Sequence, residues 1–453
     1  MRSARPVSHA PLRLQLRFGA TAAPPLSYDK LRQTWENHTR SLYTFFDEPL
    51  LIVEARRAVL TDYQGREYID FYNNVHQIGH SDARVAEAVY AQMLKSSLST
   101  RFLSEVTPRC MRYCVSEPLS CLAFSYIDAL ISKMPESPTG KGWSVFLVNS
   151  GSEANDLAMQ IARDYTGRQR IVAIENCYHG ITSAINEINS SSSTGISASK
   201  GSDASATLEE GVASSKAVLD GDGTAESAPA AFIAETVQGV GGNVDWPDEY
   251  LKEVFDHVQQ LGGITIADEV QTGFGRCGTF WGFERDGVIP DIVTMGKPIG
   301  NGFPLGAVVC RTELAEAIED AKLFSTFGGN PPAAAAGLAV MAAIEEDNLV
   351  ARAASMGAFL RSGLESLCDE HPHVFERVTG RGLFLGLHLR VPSAAKKHPH
   401  MPAILQECLD HGIVLGKGGI HSHVLRFKPP LCIEEDQIYR CLQVVRDVCV
   451  KLA

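Results

Sequence analysis

No Cys-X-X-Cys pair occurs in the 453 residues, and the eleven cysteines are an odd number scattered along the chain. This excludes a disulfide framework and a zinc ribbon, and points to a reducing compartment. The tightest group, Cys110, Cys114 and Cys121, lacks zinc-site spacing and reads as small apolar side chains. Long hydrophobic runs are also missing: the longest candidate, Pro331 to Ile344, is too short to span a membrane and ends at Glu345 and Glu346. Positive charge is scarce. With 41 Lys and Arg against 53 Asp and Glu the net charge is −12, which removes the electrostatic case for nucleic acid or an anionic membrane as partner. There is no Gly-Lys-Ser or Gly-Lys-Thr, hence no Walker phosphate loop, and no internal repeat.

What is present is an ordinary globular composition, 45% apolar and 21% charged, long enough for two or three domains or one large enzyme. A small-molecule enzyme is the class left standing. Two segments depart from the average. Residues 1–26 carry Arg2, Arg5, Arg13 and Arg17 and no Asp or Glu, which fits a mitochondrial targeting presequence or a short disordered extension of a cytoplasmic protein. In the first case the mature chain starts near Leu26 or Ser27. Residues 189–230 are rich in Ser, Ala and Gly without helical or strand periodicity, and read as a disordered surface insertion.

Elsewhere short apolar runs alternate with amphipathic stretches, as in Ser144 to Val148 followed by Glu153 to Tyr165. Gly263 to Ala267 and Asp291 to Met295 are further strand-like runs followed by glycine turns. This alternation predicts an α/β fold with a mainly parallel sheet, in which ligands gather at the carboxyl ends of the strands. Three strand ends stand out.

The first is NSGSEANDLAMQIARDY, where apolar residues recur at 154, 157, 158, 161, 162 and 165 after a turn at Asn149 to Ser152. Ser150 and Glu153 match a capping box, and Gly151 would let backbone amides approach a phosphate, although a plain helix cap explains the same residues. The second is GGITIADEVQTGFGRCG, where an apolar strand delivers Asp268, Glu269 and Gln271 to a glycine-rich loop. Asp268 there suits a metal, a general base or a proton held on a heterocyclic nitrogen, or else it caps the next turn. The third is PDIVTMGKPIGNGFPLGAVV, with Lys297 two residues past a strand in a glycine-lined loop. Desolvation there would lower the pKa of the amine and make it nucleophilic, unless the lysine is simply solvated.

These pieces, with YHG at 178–180, AETVQG at 234–239 and STFGGNP at 325–331, resemble the class III pyridoxal-phosphate aminotransferases in order and spacing, over about residues 30–450. The resemblance implies the fold-type-I architecture: a large α/β domain over 76–344 with a mainly parallel sheet, and a smaller α+β domain built from both chain ends, 27–75 and 345–453. It implies pyridoxal 5'-phosphate as cofactor and Lys297 as the lysine that forms the Schiff base and shuttles the proton. Asp268 resembles the aspartate paired with the pyridine nitrogen. Val270 and Tyr178 would pack on opposite ring faces, with Gln271 near the 3-hydroxyl. Backbone amides of Gly151 and Ser152 would bind the cofactor phosphate, Thr326 would reach it from the other subunit of a homodimer, and Glu235 matches a family glutamate behind these residues. Arg426 matches the position of a guanidinium for a substrate carboxylate.

Within the family, NNVHQIGH at 73–80, TRFL at 100–103, MGKP at 295–298 and FKPP at 427–430 resemble the branch of the alanine-glyoxylate aminotransferases and of phospho-lyases acting on phosphoethanolamine and phosphohydroxylysine. Arg426 favours a carboxylate-bearing substrate, and so an aminotransferase working between an amino donor and a keto acid. Lys417 and Lys428 would suit a substrate phosphate in the phospho-lyase alternative. The chain departs from the family at about 104–122, an additional cysteine-rich stretch, and at 189–230, which replaces a region that in relatives helps to shape the substrate entrance. A metal centre at His398, His400, His421 and His423 is not expected, since no Cys or carboxylate spacing completes it.

Overall fold

The computed structural model describes residues 27–39, 46–97, 120–190, 195–196, 208–318, 324–391 and 397–452. The basic segment 1–26 and residues 104–119 lie outside them. Residues 1–44 and 45–453 are separate compact units. In the first, the helix Tyr28–His38 starts at Ser27, whose Oγ accepts from the Lys30 amide at 3.4 Å, and it buries no side chain.

The larger unit is organised by a seven-stranded sheet in the order Trp143–Val148, Gly306–Arg311, Ile292–Met295, Ile264–Asp268, Ala231–Glu235, Ile171–Ile174 and Gly195–Ile196. Gly306–Arg311 runs antiparallel to both neighbours and the other pairs are parallel, so the sheet is mainly parallel as the alternating pattern predicts. Its central strands are buried at every position. That is why they read as unbroken apolar runs: helices cover both faces, and no face is left for polar residues.

The helix Gly151–Thr166 shows how sequence sets an element. The Ser150 hydroxyl accepts from the Glu153 amide at 3.2 Å, a cap worth about 1 kcal/mol. Glu153 reaches back to the amide of Asn149 at 2.8 Å, one residue before the position a standard capping box uses. Gly167 ends the helix at φ 69°, the left-handed conformation that favours glycine. Ala154, Ala158, Met159, Ile161 and Ala162 face the sheet.

Both chain ends contribute to a smaller α+β part. Ile413–Val414 pairs in parallel with Glu67–Asp70, completing a sheet whose other strands are Ile52–Arg56 and Val59–Asp62. A second four-stranded sheet, Phe375–Arg381, Phe384–Leu389, Val424–Phe427 and Gly416–Gly418, is antiparallel throughout.

One expectation is corrected. The segment 189–230 is not without packed structure: Leu208–Asp220 is a helix with Gly211, Val212, Ser215 and Leu219 buried. The Ser215 hydroxyl lies 2.8 Å from the Tyr250 hydroxyl on the neighbouring helix Tyr250–Gln260, and Arg170 ties the helix end to the sheet through the carbonyls of Val218 and Leu219. Gly211 and Ser215 at inward positions obscured the periodicity, because small side chains pack closely without looking apolar. Leu219→Ala should therefore lower stability by about 2–5 kcal/mol in urea unfolding, whereas an unpacked insertion would tolerate it within about 0.5 kcal/mol.

Candidate active site

The carboxyl ends of several strands of this sheet meet at one cavity of about 340 Å³. Asp268 is the last residue of its strand and stands in register with Glu235, the last of the next, so two carboxylates enter the site side by side. Lys297 follows the adjacent strand by two residues, and Gly151 and Ser152 follow the turn after Trp143–Val148. Asp268, Glu235, Lys297, Gly151, Ser152, Tyr178, Val270 and Gln271 all line the cavity.

Asp268 is buried, with three donors on its carboxylate. Asn155 Nδ2 donates to Oδ2 at 2.8 Å, His179 Nδ1 lies 2.6 Å from the same oxygen, and the Val270 amide donates to Oδ1 at 3.0 Å. Asn155 also donates to the His179 carbonyl and accepts from Thr294 Oγ1 at 2.5 Å, so its orientation is fixed by three residues. Burial disfavours the His179 imidazolium, but contact with Cys177 and the hydrogen bond to Asp268 hold its pKa well above the ordinary histidine range. That direction favours the protonated imidazole beside Asp268.

Glu235 accepts from the amides of Tyr178 at 3.2 Å and Gly239 at 3.1 Å and from Gln271 Nε2 at 3.1 Å. Burial pushes its pKa up, the His179 imidazolium draws it down, and neighbouring Asp268 raises it again. Burial lowers the pKa of Lys297, opposed by Asp268 and Glu235 and reinforced by Arg426. Gln271 has one amide orientation: its Oε1 accepts from Asn74 Nδ2 at 2.8 Å and from Lys428 Nζ at 3.4 Å, leaving Nε2 to face Glu235.

The helix end and the strand end touch at glycines. A Cβ on Gly296 would lie 2.8 Å from the Gly151 nitrogen, and one on Gly151 would lie 2.8 Å from both methyls of Val270. Only residues without a side chain let the helix N-terminus press against the loop that carries Lys297, with its first-turn amides directed into the cavity.

Two residues implied by the resemblance stand elsewhere. Arg426 sits in the strand Val424–Phe427, outside the cavity lining, buried, and donates to the Gly239 carbonyl at 3.3 Å. Thr326 is exposed on the loop before the helix Pro331–Glu346 and also lies outside the lining, although its neighbour Ser325 Oγ accepts from the cavity residue Asn149 at 3.3 Å. Asn155, His179 and Asn74 were not among the candidates, and Lys428, a candidate for a substrate phosphate, stands against the Gln271 amide oxygen. Asn155 had a signal, a polar residue inside the apolar stripe Ala154, Ala158 and Ala162, whereas Asn74 and Lys428 reach the site only through tertiary contacts.

Among the described residues no group of His, Cys, Asp or Glu could hold a metal ion, and no helix is long and apolar enough to cross a membrane. His388 and His423 pack with ring centroids 5.3 Å apart, and His421 and His423 at 5.7 Å.

The aminotransferase class-III family model matches residues 46–449. The chain belongs to the class III aminotransferases. It is 37% identical over 420 residues to alanine-glyoxylate aminotransferase 2 homolog 2, mitochondrial, of Arabidopsis thaliana, covering 87% of this chain and 82% of that one. It is 33% identical over 439 residues to ethanolamine-phosphate phospho-lyase homolog 1 of Caenorhabditis elegans, covering 89% of each. Among solved structures it resembles an Arthrobacter phospholyase in complex with phosphoethanolamine, with TM-score 0.82 and 31% identity over 94% of this chain and all of that one.

The class III cofactor is pyridoxal phosphate, and the residues present fit it. A cradle that any Cβ would fill lies at Gly151 and Gly296, a fixed carboxylate stands at Asp268, and Lys297 supplies an amine of lowered pKa in the same cavity. Asn155→Ala takes one of the three donors from Asp268 and should weaken pyridoxal phosphate binding by about 10–100-fold, the worth of a hydrogen bond to a charged group, in an absorbance titration of apoprotein.

Proposed function

We propose that the chain moves an amino group from an amino acid or amine to a keto acid, with Lys297 as the residue that holds the cofactor and carries the proton. The observation that carries this reading is one amine of lowered pKa, two strand-end carboxylates and a glycine-lined helix N-terminus around a single cavity. When bound, pyridoxal phosphate supplies an aldehyde that joins an amine and a protonated ring that takes up the electron pair of a bond broken at the substrate Cα.

In this reading the Asp268 carboxylate would keep a proton on the pyridine nitrogen, and Asn155, His179 and the Val270 amide keep that carboxylate aimed. Lys297 Nζ withdraws the Cα proton and returns it, a task that calls for an amine not permanently protonated. The amides of Gly151 and Ser152 would hold the phosphate, Val270 and Tyr178 would lie against the ring, and Gln271 would stand near the 3-oxygen. Arg426 takes the anionic end of the substrate. Lys297→Ala should lower amino transfer by more than about a thousandfold with the cofactor still bound, followed as keto-product formation.

The protein is proposed to act as a homodimer in which Thr326 serves the neighbouring site. Phe324 and Phe327 flank Thr326 and are 50% and 70% exposed, an apolar loop beside the cavity that a second copy would cover. Light scattering should then give about twice 49.1 kDa. A mitochondrial location is supported by the basic, acid-free residues 1–25 and by relatives in Arabidopsis thaliana and Homo sapiens named as mitochondrial.

A second reading, release of phosphate from phosphoethanolamine or phosphohydroxylysine, is favoured by the buried Lys428 amine beside Gln271 and by the relatives named as phospho-lyases. The pyridoxal phosphate-loaded protein should transfer an amino group from alanine to glyoxylate. Phosphate release from phosphoethanolamine without a keto acid, and no transfer from alanine, would replace the first reading by the second.

A further inference from the structure

Residues 74–80 reach the cavity from outside. Asn74 holds Gln271, Val75 lines the space, and the ring of His76 lies against Gly302, another lining residue. A Cβ on Gly302 would stand 3.0 Å from His76 Nε2, and φ at Gly302 is 103°, so wall and ring fit because that position is glycine. The following residues are tied down. Gln77 Nε2 donates to the Phe274 carbonyl at 2.9 Å, the Ile78 amide donates to Asn301 Oδ1 at 3.1 Å, and Asn301 Nδ2 donates to the Gly79 carbonyl at 2.9 Å.

His76 itself is held by stacking. Its ring lies on that of His80, with centroids 4.2 Å apart and planes at 29°. His80 is buried, and its Nε2 stands 2.7 Å from Oδ2 of the buried Asp70, whose Oδ1 accepts from the amides of Tyr72 and Asn73. An acid thus fixes one imidazole, that imidazole carries a second, and the second backs Gly302. His76 Nδ1 is buried without a hydrogen-bond partner. A phenyl ring would stack and fill the same place without that cost, so packing alone does not account for a histidine here.

What distinguishes the two rings is charge. An imidazolium at this position would bury an N–H with no acceptor and would rest on a second imidazole. Burial and His80 accordingly push His76 down to about 4, with Asp70 opposing. The facing loop, residues 301–305, carries no titratable side chain. We propose that His76 is a positioning residue that holds the cavity wall at residues 302–305 in place only while its ring is neutral, so that acid loosens this side of the cavity. The sign follows from linkage. A ring that has left the stack for water has the ordinary histidine value of about 6.5, so the loosened arrangement takes up the proton first. The held arrangement is fully favoured above about pH 6.5 and weakens about tenfold per pH unit as the pH falls toward 4. The device concerns the shape of the site and applies whichever substrate the site takes.

Amide hydrogen exchange of the pyridoxal phosphate-loaded full chain, read by mass spectrometry and corrected for the intrinsic effect of pH, tests this without any turnover. Between about pH 7.5 and about 5 the peptide covering residues 302–305 should lose about thirtyfold in protection, while the strand Ile292–Met295 keeps its own. His76→Phe keeps the stack and has no charge to gain, so its protection should stay level over the same range. Should that variant fail to fold, His76→Gln, likewise uncharged, takes its place with the same expectation. Protection of residues 302–305 that does not change with pH in the unmodified protein, or that falls as far in the uncharged variant, overturns the proposal. A protein whose wall loosens as expected yet transfers no amino group refutes the aminotransferase reading and leaves the role of His76 standing.

Discussion

A carboxylate sealed into the end of a fully apolar strand is the constraint around which this molecule is arranged. A buried carboxylate is costly unless its oxygens find donors. Three donors serve Asp268, and each is drawn from a different element: Asn155 from the helix Gly151–Thr166, His179 from the loop after Ile171–Ile174, and the Val270 amide from the turn after its own strand. Parallel strand register then fixes Glu235 beside it, a like charge that would be unfavourable without cations in the same cavity. His179 and Lys297 supply them. The charge pattern of the site follows from one buried acid and the sheet it ends.

The helix beginning at Gly151 serves this arrangement twice. Its inward face supplies Asn155 to the acid, and its N-terminus presents amides to the far end of the same cavity. Both depend on close approach to the Lys297 loop, which the glycine pair at 151 and 296 permits. Helix end, acid and amine are therefore spaced by backbone packing and not by long side chains, which gives a rigid ligand little room to shift.

How much of this could be read from the amino acids depends on where the physical signal is local. Lys297, Asp268, Gly151 and Ser152 follow apolar strands by at most a few residues, so the alternation of strand and helix already places them at one edge of a sheet. The cap at Ser150 was equally local. The helix Leu208–Asp220 was not, because its buried positions include glycine and serine, whose inward placement is set by the contact with Tyr250 and not by hydrophobicity. The contacts of Lys428 and Asn74 with Gln271 escaped for a different reason. The two residues meet Gln271 from sequence separations of 157 and 197 residues, and no window of sequence holds both partners.

The neighbours Asp268 and Glu269 show why residue type alone does not assign function. Both are acidic, both are buried, and they are adjacent at one strand end. Side chains alternate along the extended chain, so they leave in opposite directions. Asp268 enters the cavity. Glu269 turns into the protein, where it accepts from the amides of Gly282 and Phe283 and from Thr272 Oγ1, closing the turn Gly282–Asp286. Burial raises its pKa to about 7, yet it has no path to a ligand and its oxygens are used by the fold. A perturbed acid marks chemistry only where its remaining lone pairs face a space that a ligand can occupy, and at this strand end that condition separates one residue from the next.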